Sequence, residues 1–247
     1  MQNTLKVLYE DNHVIAVFKP AGVLSQGDHT GDESMFDQVK KYLKEKYKKP
    51  GNVFLGLVHR LDRPVSGIML FAKTSKGAAR LSEQFRNHSI QKTYYGIIVG
   101  KPAVNRGDIK GKVKKISFFA EGFSHKSDQQ ILEEIKRATK TRTAELYYEV
   151  VASNGKYSLV KILPKTGRFH QIRIQMSQIG APILGDVKHG GEKWKDEKSP
   201  DGKAIEDPRQ RRDIALCATN LEFKPPTSAN MVKISVEMPK EWHEYLK

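Results

Sequence analysis

Cysteine is nearly absent, with Cys217 standing alone among 247 residues. One thiol forms no intramolecular disulfide and builds no cysteine-based zinc centre, and its neighbours Ala215, Leu216 and Ala218 mark it as a small buried hydrophobe. Long apolar runs are missing as well. No stretch approaches the ~20 residues that span a bilayer, and Met1-Gln2-Asn3-Thr4-Leu5-Lys6 lacks the charged-then-apolar pattern of a secretory leader. A reducing cytoplasm is the expected compartment, with no membrane partner. There is no glycine loop ending in Lys-Ser or Lys-Thr and no Gly-x-Gly-x-x-Gly after a strand, which argues against nucleotide triphosphate or dinucleotide use. The eight histidines include no His-Glu-x-x-His and no tight cluster with carboxylates, so a metal hydrolase has little support. His59-Arg60-Leu61-Asp62 shares an outline with the kinase catalytic loop, but the spacing differs and Asp-Phe-Gly is absent.

Negative charge is also scarce. Lysine and arginine number 43 against 28 aspartates and glutamates, a formal charge of +15 spread along the chain. A polyanion, and nucleic acid foremost, is the natural partner of such a surface. The 38% hydrophobic content suffices for one large core or two modest ones.

Two short strands are predicted over 5–9 and 14–18, joined at Asp11-Asn12-His13. Met35, Phe36, Val39, Tyr42, Leu43 and Tyr47 recur at helical spacing and predict a helix over 34–48. Strands follow over 53–58 and 68–72, then a helix from 75 carrying Ala78, Ala79, Leu81 and Phe85, and a strand over 92–99. Between 100 and 142 the pattern loosens into a lysine-rich excursion, read as a hairpin and loop on the substrate side. Strands are expected over 142–151 and 157–163, a helix over 169–178, a polar insertion over 188–213, strands over 214–223 and 232–238, and a short helix or turn over 241–246. Many strands with few helices and no steady alternation predict an α+β fold. Its core is a mostly antiparallel mixed sheet with flanking helices and loops, in one domain over 1–247.

Three stretches are unusual for packing alone. His59-Arg60-Leu61-Asp62 closes the apolar run 53–58, and Arg63-Pro64-Val65-Ser66-Gly67 turns the chain into the next strand. A carboxylate at a rigid strand end with cations nearby can stay ionised and aimed. The second stretch is Gln91-Lys92-Thr93-Tyr94-Tyr95-Gly96, and the third is Gly167-Arg168-Phe169-His170-Gln171-Ile172-Arg173. In the third, Arg173 lies off the helix stripe of Ile172, Met176 and Ile179, where it either reaches a neighbouring carboxylate or is an ordinary solvated arginine.

Taken in order, Lys19-Pro20-Ala21-Gly22-Val23-Leu24-Ser25, His59-Arg60-Leu61-Asp62 with Ser66-Gly67, Leu70-Phe71-Ala72-Lys73-Thr74, Lys92-Thr93-Tyr94, Gly167-Arg168 with His170-Gln171-Ile172-Arg173, and Gly185-Asp186 resemble the RluA-type pseudouridine synthases. The likeness extends to Leu216-Cys217-Ala218 and Leu221-Glu222-Phe223. It departs at Val65, where the family usually has threonine, and at Gln175, where it usually has histidine; these bear on subgroup and substrate. The amino-terminal S4 module of many relatives is not expected here.

The resemblance implies conversion of a uridine in ribosomal or transfer RNA to pseudouridine, without cofactor or metal, by a monomer that does not act on DNA. By the same resemblance Asp62 is the essential carboxylate, either nucleophile at C1′ or base at C2′. Arg173 is its charge partner, and Tyr94 stacks on the uracil and takes the C5 proton. Arg60, Arg168, His59 and Lys92 contact substrate, with Arg60 beside the flipped nucleotide and His59 chiefly shaping the strand end. Two other readings are a noncatalytic RNA-binding protein using the same basic cleft and a metal-dependent nuclease, which needs convergent carboxylates.

Overall fold

Local chemistry sets the helices. The computed structural model describes residues 5–114, 141–194 and 213–247. Helix α1 (Met35–Lys46) opens with a capping box, in which the Ser34 hydroxyl accepts from the Asp37 N–H and the Asp37 carboxylate accepts from the Ser34 N–H. Its Met35, Val39 and Leu43, one face at spacings of four, are buried. Helix α2 (Ser75–Arg86) opens at Thr74, whose hydroxyl accepts from the Gly77 N–H at 3.1 Å. Helix α3 (Gln171–Gln178) begins differently, behind His170 in a left-handed conformation with φ 50° and no side-chain cap.

Among the described residues ten strands share one sheet: β1 (Val7–Glu10), β2 (Val14–Lys19), β3 (Gly56–Leu57), β4 (Ser66–Ala72), β5 (Gln91–Val99), β6 (Arg106–Lys114), β7 (Thr141–Ser153), β8 (Tyr157–Pro164), β9 (Leu216–Phe223) and β10 (Val232–Ser235). The order runs β1-β2-β4-β9-β5-β8-β7-β6, with β3 added to β4 and β10 to β9. Every pairing is antiparallel except β4 with β9, so the expected mixed and mostly antiparallel α+β sheet is what forms. Strand β4 is buried at all seven positions because both of its faces are covered. Met69 and Phe71 join Ile15, Val17 and the buried face of α1. Ile68, Leu70 and Ala72 join Val14, Ala16 and Leu81 of α2.

One expectation changes, and two gain detail. The apolar run 53–58 is not a full strand, since only Gly56 and Leu57 pair, against Ala72 and Phe71 of β4. In this antiparallel register residues 53–55 run past the end of β4 at Ala72, and beyond Leu57 the Leu70 N–H is taken by His59 Nε2. Residues 100–142 do contain a strand, β6, paired to β7 over nine residues; 115–140 lie outside the described residues. At the start of the polar insertion, Gly191 donates to the Asp186 carbonyl and Trp194 to the Asp213 carbonyl, tying residues 188–194 to the body of the fold, while 195–212 lie outside the described residues.

The β4–β9 junction has a strict steric requirement. Gly67 sits opposite Ala218 with φ 125°, and a Cβ there would collide with the N, O and Cα of Ala218. Gly67→Ala therefore combines a left-handed backbone with a backbone clash. The expected loss is about 3 kcal/mol or more, read as a lowered urea midpoint.

Candidate active site

Asp62 is aimed by a loop, not by a strand end. The Leu61 N–H donates to the Ser25 hydroxyl at 3.1 Å and the Gly22 N–H to the Arg63 carbonyl at 2.8 Å, while Arg63 Nε donates back to the Gly22 carbonyl at 2.9 Å. Lys19 Nζ completes the clamp, donating to the carbonyls of Pro20, Val23 and Arg63 at 3.0, 2.7 and 3.0 Å. Three acceptors match the three donors of an ammonium. Burial pushes the Lys19 pKa down to about 7, and the negative charge of Asp62 pulls against that fall. Residues on either side of Asp62 are thus bonded to 19–25, and the Val65 N–H closes a turn on the Asp62 carbonyl at 3.0 Å.

Arg173 reaches this carboxylate across 111 positions of sequence, with its Nη1 3.3 Å from Asp62 Oδ2. It is not a solvated arginine, because its side chain is only 6% exposed. Its closer partner is Asp186, 1% exposed, which takes both Nε and Nη2 at 2.7 Å in a bidentate pair. Burial opposes the arginine's charge and the two carboxylates, Asp186 first, more than restore it, so its pKa is raised. Asp62 receives what remains. Burial raises the Asp62 pKa, Arg173 and Lys19 hold it down in part, and the Asp186 charge adds to the rise. The sequence reading has the arginine favouring the ionised carboxylate. The arginine does so here, but burial outweighs it and the net direction is upward.

Tyr94 enters from the other side. Gly67, Ala218 and Tyr94 lie in one register row across β4, β9 and β5. Lys92 and Tyr94 share a face of β5, and Tyr95 points to the opposite one, where it lines a cleft with Asn220 and Val236. Burial, then the Asp62 charge, raises the Tyr94 pKa, so its hydroxyl stays protonated at neutral pH. The Lys92 pKa is lowered by burial, and its ammonium lies 3.9 Å from where a side chain at Gly167 would begin.

The remaining predicted residues separate. His59 braces the fold: its Nε2 accepts the Leu70 N–H at 2.9 Å and its ring stacks on Phe85 at 4.7 Å. An unprotonated Nε2 makes it a neutral imidazole, and burial, then the charge of Lys92, takes its pKa down to about 3. Arg63 pairs with Asp32, and Arg60 is exposed and makes no ion pair among the described residues, so neither adjacent cation holds Asp62. Arg168 Nε donates to the Thr143 carbonyl at 3.2 Å, which fastens it to β7.

Four residues were not picked out by sequence reasoning as part of the site: Lys19, His170, Asp186 and His189. Lys19 and Asp186 are visible there as ends of motifs, but nothing local says that either is buried and charged. His170 Nε2 lies 3.3 Å from Arg173 Nη1 and 3.7 Å from Asp62 Oδ2, and its Nδ1 lies 2.9 Å from His189 Nε2. Its left-handed backbone is strain of the kind that concentrates at functional sites. Among the described residues no three His, Cys, Asp or Glu side chains are grouped to hold a metal ion.

The family model described as RNA pseudouridylate synthase matches residues 13–178, a span that includes Asp62, Tyr94 and Arg173. The chain belongs to the RNA pseudouridylate synthase family. Within that family it is 33% identical over 246 residues to a tRNA pseudouridine synthase C of Haemophilus ducreyi, covering 96% of this chain and 93% of that protein. It is 32% identical over 188 residues to a ribosomal large subunit pseudouridine synthase C of Rickettsia bellii, covering 76% of this chain but only 57% of that protein. Human RNA pseudouridylate synthase domain containing 4 shares the fold, with a TM-score of 0.72 at 21% identity over 98% of this chain and 91% of that one. Human RNA pseudouridylate synthase domain containing 1 does so at 0.65 and 20%, over 98% and 86%.

The unequal sharing of Arg173 separates the two carboxylates in a stability measurement. Asp186→Asn leaves a buried guanidinium without its bidentate partner and is expected to cost about 3–5 kcal/mol in urea unfolding. Asp62→Asn is expected to keep or raise stability at neutral pH. Because the folded-state pKa of Asp62 is raised, its ionised form opposes folding, and the gain from Asn should shrink as pH falls and the wild-type carboxyl takes up a proton.

Proposed function

We propose that this chain isomerises a uridine within a structured ribosomal or transfer RNA to pseudouridine, with Asp62 as the catalytic carboxylate. The observation that carries the reading is one partly exposed carboxylate, clamped on both sides by 19–25, held by a buried arginine and electrostatically coupled to Tyr94. In the reaction the N1–C1′ bond breaks, the uracil turns, C5 bonds to C1′, and the C5 proton is lost as N1 gains one. Asp62 must be ionised to act as nucleophile at C1′ or base at C2′, and Arg173 lets it be so at neutral pH despite its burial.

Tyr94 supplies a flat, protonated ring beside that carboxylate, suited to hold a base that turns without leaving. If it takes the C5 proton it must pass on its own in the same step, since its raised pKa disfavours a free phenolate. Lys92 and Arg168 border the same site, and exposed Arg60 is placed to contact the nucleotide turned out of its stack. Exposed Lys110 and Lys112 of β6 offer charge to the RNA backbone, and Gln175 fastens that strand to α3 by donating to the Ile109 carbonyl at 2.9 Å. The chain acts as one catalytic unit over 1–247 and as a monomer, in the cytoplasm, where a single buried thiol is at no disadvantage.

Mapping pseudouridine in RNA from cells with and without the gene should show a lost site that purified wild-type protein restores. Asp62→Asn should restore nothing while binding the same RNA within about twofold; retained activity would sink the enzyme reading. A second measurement follows from the raised Asp62 pKa. The acid limb of kcat/KM should fall above the ordinary aspartate value of about 3.9, because activity is lost as Asp62 is protonated.

A further inference from the structure

Phe169 is 43% exposed, although it directly precedes His170 at the most crowded point of the site. Its ring lies on the His170 ring with centroids 3.8 Å apart and planes inclined by 15°. The His170 ring is itself fixed on three sides: by His189, which it meets edge-on at 5.2 Å, by Arg173, and by the Asp62 carboxylate 3.7 Å from Nε2. One imidazole therefore bridges Phe169 and the proposed reacting carboxylate. Burial, then the positive charge of Arg173, takes the His170 pKa down to about 3, so the stacked pair is uncharged at neutral pH.

An uncharged ring pair has no charge to offer a phosphate and a flat face to offer a base. Aromatic side chains held this way are how proteins grip unstacked bases in single-stranded and looped RNA. Turning a nucleotide out of a helix leaves its neighbours short of a stacking partner, at the moment when the uridine enters beside Asp62. We infer that Phe169 is a stacking platform for a base adjacent to the target uridine, and so helps to determine which RNA loops the site accepts. This rests on the pseudouridine synthase reading. The alternative is that Phe169 only packs against His170 and keeps its ring in place. In that case any apolar side chain of similar size serves.

The test uses a short RNA spanning the uridine that the wild-type protein modifies, with kcat and KM measured for Phe169→Ala, Phe169→Leu and Phe169→Trp. The inference expects Ala and Leu to lower kcat/KM by about 5- to 100-fold, mainly through KM, and Trp to stay within about threefold of wild type. Substrates with an abasic nucleotide 5′ or 3′ of the target complete the cycle. One of them should reduce wild type to the level of Phe169→Ala and leave Phe169→Ala unchanged. Full activity of Phe169→Leu would assign packing instead, and a Phe169→Ala defect untouched by either abasic site would overturn the inference. If wild type makes no pseudouridine in RNA from cells lacking the gene, the functional reading falls and this inference with it. If it does and the Phe169 variants match it, only this inference falls.

Discussion

The parallel contact between β4 and β9 is the constraint on which the site depends. Two short segments, Ser66-Gly67 and Cys217-Ala218, join a half-sheet built on β1, β2 and β4 to another built on β5, β8, β7 and β6. The other strand pairings among the described residues are antiparallel and could form within their own half. This one brings the loop before β4, which carries Asp62, to the strand that flanks Tyr94. It tolerates no side chain at position 67, so close approach of the backbones is bound to the assembly of the chemistry.

Charge is distributed around that junction in an uneven way. Arg173 gives its bidentate face to Asp186, which is almost wholly buried, and a single longer contact to Asp62, which is partly open. The first pair is structural in effect: it fixes the guanidinium and would be expensive to break. The second leaves a carboxylate that is held in place yet incompletely compensated, with its pKa raised by burial. In the role proposed for Asp62, a fully paired carboxylate would be a poorer nucleophile or base. Lys19 contributes at longer range, and its main effect is to lock the backbone next to Asp62 through three carbonyls.

Histidine does two different jobs here, both as a neutral ring. His59 accepts a backbone hydrogen bond and stacks on Phe85, which joins the segment before Asp62 to β4 and α2. His170, held left-handed at the start of α3, stands between Arg173, Asp62 and the exposed ring of Phe169. Both are neutral because burial and nearby positive charge disfavour the imidazolium.

Much of this was legible in the chain because it depends on local rules. Helical spacing from Met35 to Leu43 and the β-rich runs that form β2, β5 and β8 each follow from neighbours in sequence, and the motif order carries the family. The run 53–58 suits a strand by the same local rules, but its register carries 53–55 past the end of β4 and leaves the Leu70 N–H to the His59 ring, which no local pattern encodes. Sequence by itself determined the α+β class, the basic surface and the identities of Asp62, Tyr94 and Arg173 as candidates. Only the tertiary structure decided that Asp186 holds the arginine, that 19–25 rather than a strand aims Asp62, and that the carboxylate's pKa moves up. Burial and the sharing of one guanidinium between two carboxylates are properties of assembled space, and no spacing along the chain encodes them.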